Sequence, residues 1–105
     1  MILTKQDFLT AKPRLLKVDL PDLEGEVFVK SLTPKQMEES QVAQEAGATG
    51  VDLLYKQVLA CVCDDEGRRI FDDSDKALIE NLPFRVVKKL ADAVNDASGI
   101  DPVPN

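Results

Sequence analysis

Histidine is absent from the 105 residues of this chain. Its absence removes the commonest general base near neutral pH together with the commonest zinc ligand. An enzyme built on this sequence would have to run on carboxylates or on a cysteine. Cysteine itself is scarce, with Cys61 and Cys63 two positions apart and no others. That excludes a disulfide scaffold and makes a reducing cytoplasm the default compartment. No stretch approaches the roughly 18 consecutive apolar residues of a membrane helix. The opening MILTKQDFLTAKPR lacks a basic segment followed by a long apolar one, so no secretory signal is expected. Positive charge is in deficit too. Thirteen Lys and Arg face 19 Asp and Glu, for a net −6, and a chain this acidic is repelled by phosphate, which makes nucleic acid a poor partner.

What remains is a composition of 44% hydrophobic and 30% charged residues, enough for one small globular domain with a modest core. No internal repeat or low-complexity tract divides it. The expected unit spans residues 1–99, with 100–105 (IDPVPN) as an extended tail, because two prolines in the last four positions forbid helix there.

The local patterns specify an α+β fold. Thr4, three residues before Asp7, opens a short helix that ends before Pro13, with Leu3, Phe8 and Leu9 as its candidate buried side chains. Residues 15–20 (LLKVDL) and 26–32 (EVFVKSL) alternate as half-buried strands do. The loop between them offers Gly25 for a positive φ. Folded as a hairpin around 21–26, they pair Leu20 with Val27 and Val18 with Val29. Leu16, Val18, Leu20, Val27 and Val29 then share one face, and Leu15, Lys17, Asp19, Phe28, Lys30 and Leu32 share the other. An isolated hairpin is marginal, so helices must cover its apolar face.

Thr33 and Pro34 form a strong helix opening, as N-cap and first helical residue. The helix that follows is thinly apolar, anchored by Met37, Val42 and its alanines, and GATG at 47–50 stops it. Residues 51–63 (VDLLYKQVLACVC) read as the central helix, with Val51, Leu54, Tyr55, Val58, Cys61 and Val62 on one face. Asp52 and Lys56 form a supporting pair on the other. A turn at 64–67 and a very short strand or extended piece at 68–71 lead to a helix capped by Asp72, Asp73 or Ser74 and running to about Asn81, with Leu78, Ile79 and Leu82 inside. Pro83 opens a last helix with Val86, Val87, Leu90, Ala93, Val94 and Ala97 on its apolar face, and Ser98-Gly99 stops it. The architecture expected is an N-terminal β-hairpin packed on a small bundle of three to four helices.

The stretch CVCDDEGRRIFDDSD (61–75) is the one place where chemistry could be concentrated. As a calcium loop with Gly67 at the sixth position, it would put Val62 at the first and Arg69 at the eighth, so the register fails. Two thiols two residues apart on a helix point to opposite sides and cannot share a metal. The six carboxylates fall in turn and cap positions open to water, where none acquires the raised pKa of a general acid. The stretch reads as helix, turn, strand and helix, with no catalytic, cofactor or metal site.

In that order the elements resemble a known family, the tail assembly chaperones of long-tailed bacteriophages and prophages. The resemblance is carried by the leader at residues 1–9 (MILTKQDFL), by VDLP at 18–21, and by the glycine-centred turn into EVFVKSLT at 26–33. It continues through the polar helix, the central helix running into CVCDDEG at 61–67, IFDDSD at 70–75, and a final helix. It implies a non-catalytic scaffold that coats the tape-measure protein, recruits tail-tube subunits in the host bacterial cytoplasm and is absent from the mature virion. It also implies that a longer, frameshifted product can exist. Self-association is a further possibility. A structural virion protein, such as a connector or tail-completion protein, and a small host regulatory adaptor are the rival readings. On the outer face of the hairpin, Phe28 and Leu32 flanked by Lys17 and Lys30 are the candidate partner-binding residues. The competing expectation is that Leu3 and Phe8 fold over Phe28 and bury it.

Overall fold

The computed structural model describes residues 1–100; the expected tail lies, from residue 101 onward, outside the described residues. Strands β1 (Leu16–Leu20) and β2 (Gly25–Val29) form the antiparallel hairpin. Val18 pairs with Val27, Leu16 with Val29 and Leu20 with Gly25. The register differs by two residues from the one expected, because the connection is shorter. Pro21–Leu23 makes a 3₁₀ turn, Glu24 takes the left-handed conformation at φ 55°, and Gly25 is already in the strand. The positive φ expected of Gly25 therefore falls on its neighbour. A slip of two residues preserves which side chains share a face. Val18, Leu20 and Val29 are buried, while Leu16, near the strand end, stays exposed.

The third strand lies at Val62–Cys63 and not in the expected piece at 68–71. The helix taken to reach Cys63 stops at Cys61, and β3 (Val62–Cys63) joins the sheet antiparallel to β2 in the order β1-β2-β3. Val29 pairs with Val62 and Phe28 with Cys63. Val62 is β-branched and favours extended backbone, and the sheet offers it a ladder. The Lys30 N–H donates to the Cys61 carbonyl at 3.0 Å, and the Ile70 N–H to the Val62 carbonyl at 3.2 Å. The piece at 68–71 contributes one bridge, Cys63 to Arg69.

The helices are α1 (Lys5–Thr10), α2 (Pro34–Glu45), α3 (Gly50–Cys61), α4 (Lys76–Glu80) and α5 (Phe84–Ala97). Thr33 caps α2 by accepting from the Gln36 N–H, and Thr49 caps α3 by accepting from the Asp52 N–H. Asp52 Oδ2 in turn accepts from the Thr49 N–H at 3.0 Å, and its Oδ1 lies 3.8 Å from Lys76 Nζ. The expected pair with Lys56 gives way to that cap. Asp72 accepts from the Ser74 N–H and opens a 3₁₀ turn (Asp73–Asp75) leading into α4. Pro83 precedes α5, and Gly99 at φ 72° follows it.

One cluster joins the inner face of the sheet to α3, α4 and α5. From α5 it takes Val86, Val87, Leu90, Ala91, Ala93 and Val94, from α3 Val58, Leu59 and Cys61, and from α4 Ile79. Leu54, Tyr55 and Leu82 are half-buried against it. Several side chains expected inside are outside. Leu78 and Val51 are exposed, and so are Met37 and Val42 of α2, whose half-buried residues are instead Gln36, Ser40 and Ala43. Leu3, Phe8 and Leu9 are exposed as well, and α1 buries none of its residues.

Candidate interaction surfaces

The outer face of the sheet carries a row of three residues across its strands, Lys17 opposite Phe28 and Phe28 opposite Cys63. Phe28 is half-buried, and Cys63 is fully buried yet lies outside the main core cluster. The turn at residues 64–67 borders this row. Its Gly67, at φ 83°, leaves only 3.7 Å and 3.8 Å between the place of a Cβ and the side chains of Pro13 and Leu15. Lys30 Nζ donates to the Gly67 carbonyl at 3.3 Å, which ties the end of β2 to the turn. Of the residues proposed for partner contact, Lys17 is exposed and pairs with Glu26 at 2.8 Å, an interaction that raises its pKa, with Asp19 adding to the effect. Leu32 is not on this face. The chain leaves the sheet after Val29, and Leu32 packs, half-buried, against the core, its N–H donating to Ser98 Oγ at 2.9 Å. The leader does not cover Phe28, since Leu3 and Phe8 remain exposed.

The acidic stretch after the cysteines is held by local bonds. Asp64 Oδ1 accepts from the Glu66 N–H at 2.9 Å and the Arg68 N–H at 3.0 Å. These backbone bonds hold its carboxyl below the usual range. Asp72 is lowered by the Ser74 hydroxyl and N–H in the same way. Both carboxylates close turns, and each is ionised at neutral pH. Arg69 donates through Nε and Nη2 to the Leu59 carbonyl, at 3.0 and 2.8 Å, and pins the stretch to the end of α3. Burial pushes both thiols above their ordinary value, with Lys30 partly offsetting it. A buried thiol with a raised pKa is a poor nucleophile and a poor ligand. Cys61 belongs to the core and Cys63 to the outer row. Among the described residues, no three His, Cys, Asp or Glu side chains converge as a metal site would require.

Two shallow grooves flank the core. One, about 520 Å³, runs between β1 and α5 past Lys17, Asp19, Lys88 and Lys89, and Lys89 Nζ donates to the Asp19 carbonyl. The other, about 450 Å³, lies beside α2 and α3 and includes Gln57, whose Oε1 is buried without a hydrogen-bond partner. Neither groove has a pair of carboxylates in a desolvated setting. The most exposed apolar side chains are elsewhere, in the leader: Met1, Ile2, Phe8 and Leu9 are all more than two-thirds exposed. Of the leader's apolar residues, Leu3, Phe8 and Leu9 are the ones expected in the core, and all three are exposed. The signal against that reading was the shortness of a six-residue helix bounded by Pro13, which gives the leader little surface with which to bury itself.

A three-stranded antiparallel sheet backed by helices defines a small α+β protein. The solved structure of the bacteriophage HK97 tail assembly chaperone has a similar fold, with a TM-score of 0.60 over 86% of this chain and 94% of that one, at 15% sequence identity. No protein-family model matches the sequence, and no curated protein does. Among the described residues, no helix is long and apolar enough to cross a membrane.

Proposed function

We propose that this chain is a tail assembly chaperone of a long-tailed bacteriophage or prophage. In this reading it is a non-catalytic protein that binds the tape-measure and tail-tube proteins in the host cytoplasm while the tail is built. The observation that carries the proposal is the fold shared with the HK97 chaperone over nearly the whole of both chains. The chemistry is consistent with it. Asp64 and Asp72 serve a turn and a cap, and burial pushes both thiols above their ordinary value. The surface that remains for partners is the outer row around Phe28 and Lys17, with Lys30 at its border.

Co-expression tests the role. Produced with the tape-measure and tail-tube proteins encoded beside it, the chain should keep at least one of them soluble and co-purify with it. Deleting its gene should leave heads intact and abolish tails. Normal tails in the deletion strain would overturn the proposal.

A further inference from the structure

We propose that α2 is a detachable cover, which lifts off the body between anchors at Leu32 and Thr49 while the sheet and the other helices stay folded. Little holds α2 down. None of its 12 residues is buried, and its half-buried side chains, Gln36, Ser40 and Ala43, are polar or small. No α2 residue belongs to the core cluster or to the apolar side chains packed against it. Among the described residues, the side-chain hydrogen bonds of α2 stay within its own cap, between Thr33 and Gln36. Lys35, Glu38, Glu39 and Glu45 enter no ion pair there.

The two ends, by contrast, are fastened. Leu32 packs against the core, and its N–H donates to Ser98 Oγ. Thr49 is tied to the start of α3 by bonds exchanged with Asp52 in both directions. Between α2 and Thr49, Gly47 turns the chain at φ 99°, and a Cβ there would meet no atom within 4 Å, so this hinge stands clear of the body. Helix and body meet across the groove of about 450 Å³, with Gln36, Glu39 and Ser40 on one side and Gln57, Leu59 and Ala60 on the other. Gln57 Oε1 is buried without a partner. A buried acceptor lacking a donor costs free energy that contact with water recovers, so this atom favours lifting. Once off the body, a 12-residue helix is marginal in water. The open state therefore loses order over α2 alone and uncovers the α3 side of the groove. An element with so little buried apolar surface opens far more readily than the whole domain unfolds. The inference stands on the fold and does not depend on the assembly role proposed above.

Amide hydrogen exchange of the full chain, read residue by residue, is the first test. Residues 40–45 should exchange at least about a hundredfold faster than residues 58–60 and 90–94. Ala43→Pro, which breaks the middle of α2, is the second. It should remove the helical circular dichroism that α2 contributes. It should keep a single urea transition with its midpoint lowered by no more than about 0.5 M, and Cys61 should stay closed to thiol reagents. Ala60→Pro, the same lesion in α3, should prevent folding. Exchange in α2 as slow as in α3 and α5 would overturn the proposal. So would an Ala43→Pro chain that fails to fold or that exposes Cys61.

Discussion

Phe28 stands directly opposite Cys63 across the β2–β3 ladder, on the side of the sheet away from the main core. The thiol is fully buried and the ring only half-buried. Paired residues share a sheet face, and side chains directly opposite are close enough to cover one another. Phe28 is therefore the shield of Cys63 as well as the aromatic member of the candidate docking row.

That arrangement predicts a thiol-specific outcome. In the native protein, neither cysteine should react with an aromatic disulfide reagent on the timescale of seconds. Phe28→Ala should expose Cys63 while Cys61, inside the core, stays protected until global unfolding. The substitution should cost about 2 kcal/mol, below the range for a fully buried phenylalanine. Equal reactivity of both thiols in the variant would show that the ring supports the whole fold and not one face of it.

Ile79 and Leu78 provide the sharpest contrast in the core. They are adjacent in α4, yet Ile79 is 0% exposed and Leu78 51%. Ile79→Ala should cost about 3 kcal/mol in a urea titration, and Leu78→Ala about 0.5 kcal/mol or less. Comparable losses would mean that α4 is rotated from the orientation described.

Leu78 also illustrates how far the sequence was legible. Helical spacing placed α5 almost residue by residue, because a 14-residue amphipathic helix presents its apolar stripe four times over. The five residues of α4 barely complete one turn, so periodicity cannot choose between two adjacent apolar side chains. The same brevity hid β3, whose two residues extend the apolar face of α3 without a break in pattern. Only the free edge of β2, a tertiary feature, draws Val62 and Cys63 out of the helix. The leader failed for the opposite reason: Phe8 and Leu9 have the composition of a core but no surface within their own copy to cover them. That Phe28 and Lys17 share a sheet face was legible from strand alternation, whereas Leu32 was misplaced because alternation was carried three residues past the end of β2.

The tight turn between β1 and β2 makes a backbone prediction. Glu24 occupies the left-handed region at φ 55°, which costs a side-chain-bearing residue about 1 kcal/mol. Glu24→Gly should therefore leave stability unchanged or raise it by up to about 1 kcal/mol, the relief offset by a more flexible unfolded chain. Gly25 is in the strand, and a Cβ there meets its nearest neighbour, the Leu23 carbonyl, at 3.8 Å, so Gly25→Ala should be tolerated. Gly67→Ala should destabilise by about 1 kcal/mol, since φ 83° is unfavourable to alanine. Thermal melts of the three variants check the order.

Acid should act through the caps. Asp52 is lowered from 3.8 chiefly by the Thr49 backbone bond, Asp64 by the Arg68 and Glu66 N–H groups, and Asp72 by Ser74. A carboxyl whose folded value lies below its unfolded one contributes stability in full above the unfolded value. That contribution is lost as pH falls from there through the folded value. The urea midpoint should be level near neutrality and decline as pH drops through 3.8. Replacing Asp52, Asp64 and Asp72 together by Asn should flatten the decline while lowering the plateau. Lys17 has the opposite sign: its pKa is raised from 10.5 by Glu26, so its contribution is present below that value and lost as pH rises through the higher folded one.

The proposed role makes its own prediction about where the chain is found. A chaperone of tail assembly is present while tails form and missing from the finished particle, whereas a connector or tail-completion protein is present in both. Departure requires contacts that can be released. The outer face of the sheet offers a row of one half-buried aromatic between a paired lysine and a buried thiol, flanked by a shallow groove. Interfaces assembled from such pieces are of the small, transient kind. Mass spectrometry across an infection should therefore detect the chain in lysates that contain assembling tails, bound to the tape-measure protein, and find it missing from purified virions. Recovery from virions in a fixed ratio to the tail-tube protein would replace the chaperone reading with that of a structural component.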